Sequence, residues 1–347
     1  MAAEQPAVTD SGRARSFFER AWDAGEAAPC AETYRIMGRN VRIRSAENFG
    51  FARRALAHLR TDPGAAPHLD IRSGDHRSLV LPDSPWRPED FGVRGEIIGG
   101  NDEHFAAAYD HAGSSLSMLD RQTGRAIFWT RDAEALPQSE RGAPFKTIFH
   151  WWAEACGSLL LHAAAVGHGS GAVLLVGEGG SGKSTTAFSC AAAGLNYLGD
   201  DYCAAGGIGE LRVFSLYGTG KLTLESALHF SAGATGCSER RAGEEKTIFY
   251  LHEIYPGLAV EGLPLRAILV PRFLPSATTT SVHPVPAAEA FKALAPSTIS
   301  QLPGAGAATF RSLGRLVAQV PAFELLLARD FADIGAIIRR FLQSRLP

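Results

Sequence analysis

The 347-residue chain has no apolar run near the ~18 residues that a bilayer-crossing helix needs, so no segment is expected to span a membrane. Its first residues, MAAEQPAVTDSGRARSFFERAWD, lack the basic-then-apolar order of a secretory signal. Cysteine is sparse. Cys30, Cys156, Cys190, Cys203 and Cys237 are odd in number and never form a CxxC pair, which argues against a disulfide framework or zinc site and favours a reducing compartment. Net positive charge is missing too. The 34 Lys+Arg stand against 36 Asp+Glu, a formal charge of -2, whereas a nucleic-acid binder is usually basic. The expectation is a cytoplasmic protein that binds neither membrane nor nucleic acid. With 46% hydrophobic and 20% charged residues the chain is globular, and its length suits two domains.

Residues 1–25 read as a mobile polar tail leading into a short helix. Residues 26–142 read as a β-rich α+β domain. In it, Tyr34 and Ile36 face Val41 and Ile43 across Gly38-Arg39-Asn40, Ser45 is placed to cap a helix carrying Phe49, Leu56 and Leu59, and 68–71 reads as a short strand. Strands are expected at 105–109, 115–119 and 126–129. Residues 143–347 form the second part, which opens with a helix over 145–157. There 159–166 reads as one buried strand and 172–176 as a strand covered on both faces. A glycine loop, a helix to Ala193 and the strand 195–198 follow, a unit that predicts a partly parallel α/β sheet. Further strands are expected at 213–216, 265–270 and 323–327, an exposed loop at 238–246, and a closing helix over 331–342. Trp151-Trp152 is expected to pack between the two parts.

The segment with clear chemistry is Gly177-Glu178-Gly179-Gly180-Ser181-Gly182-Lys183-Ser184, a full match to G-x-x-x-x-G-K-[ST], with Thr185 directly after it. Glycines let successive N–H groups turn toward one anion, and the following helix adds its positive end. Lys183 would reach the β- and γ-phosphates and Ser184 would join a Mg2+ shell. The same residues contain Gly177-x-Gly179-x-x-Gly182, the dinucleotide fingerprint, so a nicotinamide-binding domain is a rival. The Lys183-Ser184 pair favours the triphosphate. Asp200-Asp201 ends the next strand, where one carboxylate could hold Mg2+ and the other accept the proton of an incoming hydroxyl. A lone histidine such as His162 is more often a core residue, and His150, His168 and His252 show no metal-site spacing. Lysines are scarce beside arginines. Lys221, flanked by glycine, could stabilise a transferring phosphoryl group or be a solvated loop cation, whereas Lys246 in a Glu-rich loop reads as a surface charge.

The order His162, then 177–184, then Asp200-Asp201 resembles the catalytic domain of bacterial HPr kinase/phosphorylase, over about 161–202 and more weakly over 320–342. The resemblance implies an HPr-kinase-like P-loop α/β domain with ATP and Mg2+ as cofactors. Lys183 would bind phosphate, Ser184 and Asp200 would lie at the metal, Asp201 would be the proton acceptor and His162 an active-site residue restraining it. The family's second, acidic glycine-rich signature is not found. At that distance stands Ser215-Leu216-Tyr217-Gly218-Thr219-Gly220-Lys221-Leu222-Thr223-Leu224-Glu225, whose part over 217–222 is similar to a segment of divergent members that phosphorylate a Ser hydroxyl at the end of a lasso precursor peptide. The resemblance therefore implies a peptide acceptor, with HPr or another small protein as the parent alternative. The parent family is hexameric, which makes a homo-oligomer one expectation. A kinase for a small hydroxylated metabolite and a non-catalytic nucleotide-binding regulatory module are the remaining readings. No Asn-Lys-x-Asp motif points to a GTPase, and no Leu-Ser-Gly-Gly stretch to an ABC-type ATPase.

Overall fold

The structure, a computed structural model, describes residues 10–25, 28–169, 171–230 and 236–344. Two large β-sheets dominate. The first part runs α1 (Asp10–Ala24), β1 (Cys30–Ile36), β2 (Arg39–Ser45), α2 (Gly50–Ala55), β3 (Arg60–Thr61), β4 (Leu69–Asp75), β5 (Phe105–Asp110), β6 (Ser115–Asp120), β7 (Arg125–Thr130), α3 (Gln138–Gly142) and α4 (Lys146–Ala155). Its seven strands lie in the order β3-β1-β2-β4-β7-β6-β5, parallel only at β2/β4 and β4/β7. α1 corrects part of the tail expected over 1–25. Phe17, Phe18 and Trp22 are buried against Leu116, Met118 and Ile127, because the apolar residues recur at helical spacing and so form one face. The part of that tail over 1–9 lies outside the described residues. Ser45 ends β2 and accepts a hydrogen bond from Arg53 instead of capping a helix.

The second part contains β8 (Ser158–Leu161), β9 (Ala164–His168), β10 (Gly171–Leu175), α5 (Lys183–Ala192), β11 (Asn196–Gly199), β12 (Cys203–Gly206), β13 (Arg212–Ser215), β14 (Thr219–Thr223), α6 (Leu224–Ala227), β15 (Ser238–Glu239), β16 (Lys246–Tyr250), α7 (Leu251–Ile254), β17 (Gly262–Phe273), β18 (Ser281–Val285), α8 (Ala287–Gln301), α9 (Ala307–Ala318), β19 (Ala322–Leu327) and α10 (Ala332–Gln343). The main sheet follows β11-β9-β10-β17-β13-β12-β8, with β19 and then β18 added beside β17. β10/β17 and β17/β19 are parallel and the other pairs antiparallel, so the expected mixed, partly parallel α/β sheet is observed. Alternate residues explain the unbroken apolar run of β10. Val173 and Leu175 pack with Phe188 of α5 and Ile338 of α10, while Ala172 and Leu174 pack with Leu294 of α8 and Leu316 of α9.

Two expectations need correction here. The segment 159–166 is two strands. β8 pairs β12 and β9 pairs β10, because the chain changes neighbours at His162-Ala163. β11 is also not beside β10, since β9 runs antiparallel between them. A dinucleotide-binding βαβ unit sets its two strands side by side, so this arrangement counts against that rival. Across the chain, one apolar cluster links Tyr34 and Ile43 to Phe149 and Trp152 of α4 and on to Leu160, Tyr202 and Tyr217. The two sheets thereby share packing through α4. No helix among the described residues is long and apolar enough to cross a membrane.

Candidate functional site

The glycine loop leaves the carboxyl end of β10 and closes into α5, as the sequence pattern requires. Gly182 precedes the helix at φ 99°, and a Cβ there would stand 2.6 Å from Leu327 Cδ1, so only glycine fits the turn. Lys183 is buried and its Nζ donates to the carbonyls of Gly177 (2.6 Å) and Glu178 (3.0 Å). Burial holds its ammonium below the ordinary lysine range. The buried Ser181 Oγ has no hydrogen-bond partner among the described residues. The loop thus offers a buried cation, an unsatisfied hydroxyl and a helix N-terminus to a single anion.

β11 delivers the acid pair to the same place. Asp200 is 2% exposed; its Oδ2 accepts from the Lys221 backbone N–H at 2.9 Å and the Ser184 hydroxyl sits against its carboxylate. Burial, and then the neighbouring Asp201, push its pKa up to about 6. Its Oδ1 is buried without a partner among the described residues. Asp201 is half-buried and pairs with Lys221 Nζ at 2.5 Å. Burial opposes its ionisation, but the Lys221 ammonium outweighs that and holds the acid low. His162 lies near Asp201, and burial lowers its imidazole to about 4, so it is uncharged near neutral pH; its Nδ1 has no partner among the described residues. α8 fixes the His162 neighbourhood, since Thr298 Oγ1 accepts the His162 N–H at 3.1 Å and Gln301 accepts from Tyr202 at 2.7 Å.

Lys221 is a strand residue, which corrects the loop placement read from its glycine flanks. β14 pairs with β16, and the strand is tied to its surroundings by Tyr197 donating to Thr219 O (2.6 Å) and Tyr217 donating to Pro144 O (2.9 Å). Gly220 lets it lie flat on α5, because a Cβ there would stand 2.5 Å from the Phe188 ring. Gly220→Val is therefore expected to cost about 1–3 kcal/mol of stability by overpacking. A chemical-denaturation curve indistinguishable from that of the parent protein would show that this contact is slack.

A cavity of about 350 Å³ opens on Asp201, with Gln138, Ser139, His162, Lys221, Glu244, Glu245 and Lys246 in its wall. The charged loop is largely exposed, as expected, and also borders this cavity; Lys246, exposed as read, opens β16 at its edge. Lys146 was not singled out by sequence reasoning. It pairs with Glu140, and burial, then the charge of Lys221, bring its pKa down to about 8. The chain has only five lysines, and four of them, Lys146, Lys183, Lys221 and Lys246, act electrostatically on Asp201. That scarcity was the available signal. A roomier apolar cavity of about 490 Å³ between Phe17, Trp86 and Trp129 has neither lysine nor carboxylate in its wall.

The donor set suits a hard divalent cation completed by phosphate oxygens. Ser184 lies against the Asp200 carboxylate, one of whose oxygens is buried without a partner among the described residues, while no group of three His, Cys, Asp or Glu among them could hold a metal alone. No protein-family model matches the chain, and no curated protein matches it. Among solved structures, the Hpr(Ser) kinase/phosphatase from Coxiella burnetii is similar at a TM-score of 0.29 and 9% identity, over 53% of this chain and 94% of that one.

Proposed function

We propose that the protein is an ATP-dependent, Mg2+-requiring kinase that transfers the γ-phosphoryl group to a serine-type hydroxyl of a peptide. The observation that carries this reading is the meeting of Ser184, at the end of the glycine loop, with Asp200, the first acid of the pair that follows β11. The N–H groups and Lys183 of the loop bind the phosphates. Ser184 and Asp200 would hold Mg2+, which would supply charge neutralisation on the phosphate oxygens. Asp201 accepts the hydroxyl proton as the oxygen bonds to the γ-phosphorus and the β–γ bridging bond breaks, with ADP leaving. Lys221 keeps Asp201 ionised and stands beside the phosphoryl group in transfer. His162, neutral at physiological pH, limits where Asp201 can turn.

The likeness of 217–222 to the divergent members supports a precursor peptide ending in Ser as the acceptor, presented by the first sheet or by the cleft beside α3 and α4. Incubation with MgATP and, in turn, such a peptide, HPr and a free hydroxyl metabolite, read by mass spectrometry, tests this. A gain of one phosphate on the peptide Ser is expected. Transfer only to HPr or a metabolite would replace the acceptor, and intact ATP with every partner would leave a regulatory nucleotide-binding module.

The acid pair also sets a pH dependence. A proton on Asp200 competes with the metal, so Mg2+-nucleotide affinity is expected to fall about tenfold per unit below about pH 6. In the metal-free protein the sign for stability is opposite. The folded state holds this proton more tightly than the unfolded chain, so the contribution of Asp200 is full below the unfolded carboxylate range and lost as pH rises through about 6. Calorimetric titrations across that range read the first effect. A flat affinity would remove Asp200 from the metal site.

A further inference from the structure

We propose that Phe273, at the carboxyl end of β17, is the platform on which the base of the bound nucleotide stacks; this rests on reading 177–184 as the triphosphate loop. A Cβ on Gly182 would lie 2.6 Å from Leu327 Cδ1 and 4.0 Å from Pro271 Cβ, so the ends of β19 and β17 form the wall against which the loop is built. Ala267 and Leu269 face the cluster containing Phe188 of α5. With a two-residue period, Pro271 and Phe273 continue that face. Phe273 therefore stands one step past the residue that touches the loop, about 7 Å further along the strand. A loop-bound nucleotide whose ribose and base leave the phosphates toward this strand end would meet the ring.

Its exposure breaks the pattern of its own strand. Ala267 and Leu269 are fully buried, yet Phe273 is 46% exposed. The backbone there is pinned all the same. Phe273 lies in register with Leu327, and Leu274 N–H donates to Leu327 O at 3.0 Å, so the ring projects from a fixed strand end. β10, β17 and β19 are parallel, and ligands of such sheets sit beyond the carboxyl ends of the strands. Arg272, on the opposite face, is engaged by Glu324 at 3.0 Å and leaves the ring uncovered by its own neighbour. A held aromatic face beside a phosphate cradle suits a flat heteroaromatic base. Since every base has a π-face, the platform accepts adenine and guanine alike.

The test compares MgATP, MgGTP and magnesium tripolyphosphate by calorimetry on the full chain and on Phe273→Ala and Phe273→Tyr. Stacking predicts that Phe273→Ala weakens ATP and GTP about tenfold and leaves tripolyphosphate unchanged, while Phe273→Tyr retains parent affinity. Retained tripolyphosphate binding also shows that the variant is folded. Unchanged ATP affinity in Phe273→Ala, or equal loss of ATP and tripolyphosphate, would overturn the platform. Absence of tripolyphosphate binding by the parent protein would instead refute the loop itself, and the platform with it.

Discussion

Asp201→Asn is expected to lower phosphoryl transfer by about 10²–10⁴-fold while leaving nucleotide affinity nearly unchanged. Asn keeps the size of the side chain but cannot take up the hydroxyl proton. It also removes the partner of Lys221, whose Nζ lies 2.5 Å from the Asp201 carboxylate. The two consequences differ in kind. Loss of the base appears in kcat at every nucleotide concentration, whereas release of Lys221 does not weaken the grip on phosphate. Rapid-quench transfer assays at saturating MgATP, paired with calorimetric affinities, separate them. Equal loss in binding and transfer would place Asp201 in the nucleotide cradle instead of at the acceptor hydroxyl.

Lys183→Met should have the larger effect on binding, with MgATP affinity falling by about 10²-fold or more. The ammonium is desolvated, which strengthens its attraction for phosphate relative to a surface lysine. Met preserves the stem but not the charge. In the nucleotide-free protein Nζ donates to two loop carbonyls, those of Gly177 and Glu178; bonds from a charged donor are worth about 1.5–3 kcal/mol each, offset by the desolvation of a buried ammonium that Met does not require. A thermal unfolding scan should therefore show a folded protein that MgATP no longer stabilises. Stabilisation equal to that of the parent would mean that the triphosphate sits elsewhere.

What the sequence revealed was local. The loop from Gly177 to Ser184 and the Asp200-Asp201 turn are contiguous, so residue type and spacing were enough to single them out as candidates. β10 was legible because burial on both faces leaves an unbroken apolar run. The rest depends on pairing between distant segments. Nothing near Leu161 announces that β8 joins β12 while β9 joins β10, a change of partner that sets His162 at the cavity. Lys221 looked like a loop residue because its flanking glycines are turn formers; Gly220 is there for the Phe188 ring. Lys146 and Lys246 sit 100 residues apart in the sequence, and only the fold brings both to Asp201. Their rarity among 34 basic residues was visible, but rarity names candidates without saying where they meet. α1 was under-read because its apolar face is short and follows polar text.

If the glycine loop and the acid pair form one phosphoryl-transfer centre, a crystal structure with Mg2+ and a non-hydrolysable ATP analogue will show triphosphate oxygens on the N–H groups of the loop and on Lys183, a metal touching Ser184, and the terminal phosphate facing the Asp201 carboxylate. An analogue bound away from the loop, or a terminal phosphate directed away from both aspartates, would refute that single centre.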